Sequence, residues 1–99
     1  MLRTQHNTWI HAVATACVLL VAAWLRVSAW EWAALILACM AVWIAEALNT
    51  ALEFLADAAV PQAHAGVGRA KDVAAAAVLI AAVGATVVGL LVFVPRLFG

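Results

Sequence analysis

Four polar side chains recur along one stretch of the chain, at spacings of three or four residues: Glu46, Asn49, Glu53 and Asp57. At about 100° per residue, an α-helix would present all four within about 80° on one face. Carboxylates in an apolar helix at bilayer depth cost roughly 2.5–3.5 kcal/mol on insertion scales, so they usually mark a functional interior face. We therefore interpret the stripe as functional. The alternative is a wet helix end whose acids only face water.

Positive charge follows in the segment Arg69-Ala-Lys71-Asp72, directly before a third apolar run. The first turn of a helix has free backbone N–H groups and a positive dipole end, so anions bind there. Lys71 adds a point charge suited to phosphate, although Arg69 and Lys71 are also residues that fix membrane orientation. Together with the carboxylates of the stripe, this positively charged segment predicts a site for phosphoryl transfer. Carboxylates would hold Mg²⁺, a further carboxylate would take a proton from an alcohol, and the lysine would neutralise charge.

Other chemistries find little support in the sequence. No GxxxxGK[ST] loop occurs, and Gly66-Val-Gly68 is a lone GxG that indicates little. A serine–histidine hydrolase is excluded as a main hypothesis because the only serine is Ser28, on the opposite side of the membrane from the acids. A lone loop histidine such as His64 is more often a bystander than a ligand. Cys17 and Cys39 lie in apolar runs and are interpreted as packing residues.

The amino-acid composition indicates which kind of secondary structure positions these residues. The chain has 99 residues, 70% of them hydrophobic, and a mean hydropathy of +1.14. A soluble domain of this size buries only about 60% of its chain surface, so lipid is the solvent that fits. We predict an all-α membrane protein forming one domain over residues 1–99. Its three transmembrane helices are expected at about 9–25, 32–58 and 73–94, with a loop at 59–72 and Pro95 ending the third span.

The basic residues predict the orientation of the chain. Arg3, Arg69 and Lys71 share one side of the predicted membrane, and Arg26 and Arg96 share the other. With three basic residues on one side and two on the other, the positive-inside rule places the N-terminus and the 59–72 loop in the cytoplasm. The formal net charge of zero argues against a nucleic-acid partner.

The pattern Glu46-Ala-Leu-Asn49-Thr-Ala-Leu-Glu53, followed by Asp57, His64 and Ala70-Lys71-Asp72, resembles the prokaryotic diacylglycerol kinase family. That family includes the undecaprenol kinases of Gram-positive bacteria, and the resemblance covers nearly the whole chain. It implies a homotrimer of three-helix protomers in the bacterial inner membrane, with composite sites shared between neighbours. Each site would transfer the γ-phosphate of ATP to the primary hydroxyl of a lipid.

The resemblance also implies roles for individual positions. Glu46 matches the general base, Asn49 would help to position it, and Glu53 matches a ligand of Mg²⁺-ATP. The nucleotide positions are Gln5, Asp57, Gln62, Ala63, His64, Lys71 and Asp72, of which the last two contact the phosphates. Positions along the lipid are Asn7, Thr8, Trp9, Ile10, His11, Trp24, Leu25 and Ala75.

The chain departs from the family pattern in two main places. The first is Gln5, which stands where the family has a second metal-binding glutamate and is a poorer Mg²⁺ ligand; the second is the short N-terminus. A smaller departure is Ala75, at a position where serine is common. Few residues precede the first span, so we expect either a truncated chain or a member that has lost part of its site. Two hypotheses follow: an active lipid kinase, and a weakened or inactive member acting as a binding or assembly module. Residues 7–11 resemble the undecaprenol branch somewhat better, but the sequence leaves diacylglycerol and undecaprenol both open.

Overall fold

The computed structural model describes the backbone of residues 2–99 and the side chains of residues 9–99. It contains three α-helices: α1 (Leu2–Leu25), α2 (Ala29–Ala59) and α3 (Ala65–Phe98). The molecule measures 54 by 21 by 19 Å, so the helices lie side by side, joined by short turns that favour antiparallel neighbours. The prediction of an all-α fold is confirmed.

Two of the three predicted membrane spans have the length and composition to cross a bilayer, namely α2 and α3. Within the described side chains of α1, the apolar stretch is Trp9–Leu25, which is shorter, while the helix backbone begins at Leu2. The span predicted at 9–25 and the homotrimer therefore stay predictions.

The turn between α1 and α2 is a Schellman motif. Val27 N–H donates to Ala22 O at 3.3 Å, and Arg26 N–H donates to Ala23 O at 3.2 Å. This geometry puts Arg26 in the left-handed region, at φ 55°, where glycine is the usual residue. Ala22 and Val27 are both buried, so the hydrophobic contact that accompanies the motif is present.

A capping box starts α2 at Ala29, three residues ahead of the predicted span. Glu31 N–H donates to Ser28 Oγ at 3.3 Å, and Ser28 N–H donates to Glu31 Oε1 at 2.9 Å. Arg96 Nε also donates to both carboxylate oxygens of Glu31, at 3.0 Å each. The end of α3 is thereby tied to the start of α2.

The apolar core lies at this same end of the molecule. Leu35 and Val92 are buried with Ala22 and Val27, and Trp32 packs against them. Most other large apolar side chains are exposed, such as Trp24, which is 75% exposed. That surface suits a chain solvated by lipid or covered by neighbouring protomers.

The predicted 59–72 loop was wrong in its extent. Helix α3 begins at Ala65, so only residues 60–64 separate α2 from α3. Gly66 and Gly68 lie inside the first turns of the helix, where His64 caps the backbone and compensates for their low helix propensity.

The prediction that Pro95 ends the third helix was also wrong. α3 continues through Pro95 to Phe98, and Gly99 N–H donates to Pro95 O at 2.7 Å. A proline removes one backbone hydrogen bond and crowds the preceding turn. Only the last turn follows it here, so the missing bond does not stop the helix.

Candidate active site

The polar stripe of α2 lies on one helix face, as its spacing predicted, and runs from the protein interior to its surface. Glu46 is buried at 8% exposure, Asn49 and Glu53 are half-buried, and Asp57 is exposed. The four side chains follow one another at intervals of one helical turn or slightly less. The stripe therefore connects an exposed carboxylate, at Asp57, to a buried carboxylate, at Glu46, along one face of the same helix.

The buried carboxylate is in contact with α1. His11 Nδ1 forms a hydrogen bond with Glu46 Oε2, and the two side chains are 23% and 10% exposed. The sequence had assigned His11 only to the lipid region and had not linked it to Glu46. Such a link between residues 35 positions apart depends on how α1 is rotated against α2, which helical periodicity does not specify.

One turn further along, a second polar contact joins the same two helices. Trp43 Nε1–H donates to Thr15 Oγ1 at 3.0 Å. The Trp43 ring also meets the His11 ring edge-on, with centroids 6.3 Å apart and planes at 75°. We refer to His11, Thr15, Trp43 and Glu46 as the α1–α2 polar seam.

Asn49 adds an unsatisfied acceptor to the stripe. Its Oδ1 is buried and has no hydrogen-bond partner among the residues that the structure describes. Leaving a buried acceptor unpaired costs about 1–3 kcal/mol, so such an atom in a native fold needs an explanation. A donor supplied by a bound molecule is the chemistry that would satisfy it.

At the exposed end of the stripe, an open cavity of about 430 Å³ lies between the end of α2 and the start of α3. Lys71 Nζ donates to Asp57 Oδ1 at 2.6 Å, and these side chains are 35% and 68% exposed. The hydrogen bond to Asp57 raises the pKa of Lys71, with a further contribution from the charge of Glu53, so the ammonium stays charged. The cavity is lined by Asp57, Val60, Pro61, Gln62, Ala63, His64, Val67, Gly68 and Lys71.

His64 is the N-cap of α3. Its Nδ1 accepts hydrogen bonds from Gly66 N–H at 3.0 Å and Val67 N–H at 3.3 Å. The sequence had placed free N–H groups beside Lys71, and that placement was wrong. The helix starts six residues earlier, at Ala65, and two of its first N–H groups are already satisfied by His64.

The remaining predicted site residues lie in several separate places. Gln62, Ala63 and His64 line the cavity with Asp57 and Lys71, whereas Asp72 and Ala75 are exposed residues of α3 outside its lining. On α1, Trp9 and Ile10 border an open apolar groove, and Trp24 and Leu25 lie about 20 Å further along the helix than His11. Gln5, Asn7 and Thr8 lie outside the described side chains.

The donor set suits a metal ion that arrives with phosphates. Among the described side chains, no group of three or more His, Cys, Asp or Glu could hold a metal by itself. Mg²⁺ is typically bound by one or two carboxylates together with substrate phosphates. Glu53, half-buried between Asn49 and Asp57, is placed to be such a carboxylate.

The sequence profile of the family described as "Prokaryotic diacylglycerol kinase" matches residues 1–93. The chain belongs to this family. The prokaryotic diacylglycerol kinase family thus accounts for the pattern on which the resemblance was based. No solved structure matches the chain.

Individual relatives carry two different names. The chain is 37% identical over 95 residues to the undecaprenol kinase of Bacillus subtilis, covering 96% of this chain and 77% of that protein. It is 41% identical over 95 residues to the diacylglycerol kinase of Synechocystis, covering 95% of this chain and 54% of that protein. Against the diacylglycerol kinase of Escherichia coli K12 it is 41% identical over 75 residues, covering 76% of this chain and 62% of that protein. The chain thus spans about half to three quarters of the length of these relatives.

Proposed function

We propose that this protein transfers the γ-phosphate of ATP to the primary hydroxyl of a membrane lipid alcohol. The observation that carries the proposal is the stripe that joins the buried Glu46 to the cavity containing Lys71 and Asp57. One end lies buried within the apolar part of α2, and the other is exposed to solvent and carries a cation. Few reactions besides phosphorylation of a lipid need both environments on one helix face.

The proposed arrangement follows the direction of α2. The nucleotide occupies the cavity, with its phosphates near Lys71 and the chain of polar residues leading inwards. Glu46 and Asp57 are eleven positions apart, or about 17 Å along the helix, and Glu53 lies between them. The γ-phosphate would sit near Asn49 and Glu53, within reach of a lipid hydroxyl at Glu46.

In the reaction, the Glu46 carboxylate takes the proton of the lipid hydroxyl. The hydroxyl oxygen forms a bond to the γ-phosphorus, and the bond from that phosphorus to the bridging oxygen of ADP breaks. Lys71 stabilises negative charge on the phosphates, and Asn49 positions the reacting groups through its amide. Mg²⁺, which we propose as the cofactor, would be held by Glu53 with phosphate oxygens and would neutralise charge there.

The setting of the reaction is also proposed. Glu53 and Asp57 remain partly or fully exposed in a single chain, which supports a homotrimer whose neighbouring protomers complete each site. The location would be the bacterial inner membrane, with the N-terminus and residues 60–64 in the cytoplasm. Arg96 pairs with Glu31 at the end opposite Lys71 and Asp57, in agreement with the two sides assigned from the basic residues.

Both lipid alcohols remain candidates because the relatives carry both names. The experiment is phosphate transfer from radiolabelled ATP by the detergent-purified protein with Mg²⁺, offering dioleoylglycerol and a short polyprenol in parallel. Labelled lipid from either alcohol identifies the substrate branch. If neither alcohol became labelled, the result would favour the alternative of an inactive binding or assembly module. No described residue provides support for that alternative.

The matched variants are Glu46→Gln and Glu31→Gln. Both replace a glutamate of α2 by its amide, but Glu31 lies at the other end of the helix and Gln keeps its capping box. The first should reduce transfer at least about 100-fold, the usual scale for a general base, and the second should leave it nearly unchanged. Transfer that persists in Glu46→Gln would remove Glu46 as the base.

A further inference from the structure

The contact between His11 and Glu46 is the feature of this site that the proposed reaction does not yet use. His11 Nδ1 meets Glu46 Oε2 at a point where both side chains are largely enclosed. We propose that His11 is a positioning residue, which orients the Glu46 carboxylate towards the lipid hydroxyl. This inference rests on the proposed function.

The argument begins with the carboxylate itself. Glu46 has three rotatable side-chain bonds, and the last one is broad, so a carboxylate without a fixed partner samples many orientations. A base that is ready to take a proton is ionised and only accepts hydrogen bonds, so in the reactive state that we propose His11 Nδ1 is the donor. That bond ties Oε2 to α1 and sets the direction in which Oε1 points. Only a base that already points at the hydroxyl is effective, because small misplacements of reacting groups cost large factors in rate.

His11 is itself held in place. Its ring packs edge-on against Trp43, with the two planes at 75°, which limits the orientations that the imidazole can adopt. The Trp43–Thr15 hydrogen bond lies one turn away and joins the same two helices, so its part is in docking α1 on α2. The Trp43 ring thus supports the histidine, as expected of a residue that orients another.

The alternative explanation is that His11 only helps α1 to dock on α2. A second contact in the α1–α2 polar seam provides the control that separates the two explanations. Thr15→Val removes the Trp43–Thr15 hydrogen bond, one turn away, without touching Glu46. His11→Leu removes the contact with Glu46. His11→Asn keeps a donor because the Asn amide nitrogen is as many bonds from the backbone as Nδ1.

The experiment measures kcat and the KM values for ATP and lipid alcohol for the full-length wild type and the three variants. We expect His11→Leu to lower kcat about 10- to 100-fold with both KM values within about 3-fold, and His11→Asn to recover most of kcat. Thr15→Val should change kcat by less than about 3-fold. Unfolding in detergent micelles, followed by circular dichroism, verifies that the variants are folded.

Several outcomes would overturn the inference while leaving the kinase proposal intact. Equal losses in His11→Leu and Thr15→Val would show that docking is the whole role. A rise in the lipid KM with unchanged kcat would make His11 a lipid contact, and a failure of His11→Asn to recover activity would exclude the donor role. A wild type that phosphorylates neither alcohol would overturn the inference and the proposed function together.

Discussion

Lys71 Nζ donates a hydrogen bond of 2.6 Å to Asp57 Oδ1, and this contact joins the second turn of α3 to the C-terminal part of α2. Both side chains are substantially exposed, so solvent screens the ion pair and it contributes little to stability. The ion pair matters because it fixes the position of the Lys71 side chain. The pair holds a charged ammonium at the lining of the cavity in which we propose that the phosphates bind.

The first prediction concerns Lys71. Lys71→Met should lower kcat/KM for ATP about 100-fold or more, because a cation at a transferring phosphate acts mainly on the transition state. The matched control is Arg69→Met, which removes a cation two residues away that does not line the cavity. Phosphate-transfer kinetics with varied ATP would measure both. If both variants lost the same factor in kcat/KM, Lys71 would contribute only to the overall positive potential and would not contact the phosphates specifically.

A second prediction concerns the cap of α3. His64→Ala should lower the free energy of unfolding by about 1 kcal/mol, because Gly66 and Val67 lose the acceptor of their N–H groups. His64→Ser, which supplies a capping oxygen, should recover most of that loss. Denaturation in detergent micelles, monitored by circular dichroism, measures the difference. A His64→Ala variant as stable as the wild type would show that water replaces the cap.

The stripe could be predicted because a single helix fixes it. Once residues 46–57 are helical, the rise and rotation per residue determine that Glu46, Asn49, Glu53 and Asp57 share a face. The order of burial along the stripe also followed from its direction out of the apolar segment. None of this required knowledge of a second helix.

The parts of the site that depend on two helices could not be predicted. The bond between His11 and Glu46 requires the rotation and register of α1 against α2, and the sequence contains many equivalent apolar faces on which α1 could pack. The start of α3 was misplaced for a local reason. Gly66 and Gly68 indicated a loop, whereas His64 is an uncommon N-cap whose Nδ1 stabilises a helix at that point.

The third prediction concerns the α1–α2 turn. Arg26 adopts φ 55°, where a Cβ atom costs about 1 kcal/mol or more and glycine has no such cost. Arg26→Gly should therefore raise the free energy of unfolding by about 0.5–1 kcal/mol. Arg26→Ala removes the same charge but keeps the Cβ, so it should give no gain. An equal gain in both variants would attribute the effect to the charge of Arg26.

The fourth prediction uses the ion pair at the same end of the molecule. The hydrogen bonds from Arg96, aided by the backbone N–H of Ser28, lower the pKa of Glu31 to about 2 from its usual 4.5. Because the folded pKa is below the unfolded one, the stabilisation is fully present above about pH 4.5. It is lost as the pH falls from there towards 2, where Glu31 becomes protonated in the folded state too.

Glu31→Gln isolates this effect from the titration of the other acids, since Gln retains the capping box with Ser28. The wild type should be more stable than the variant at pH 7, and the difference should shrink steadily between pH 4.5 and 2. Denaturation in micelles of a non-ionic detergent, whose headgroup does not titrate, measures both proteins across this range. A difference that is independent of pH would mean that the Arg96 contact with Glu31 acts through packing of the two side chains, since a charge-dependent contribution must disappear when the carboxylate takes up its proton.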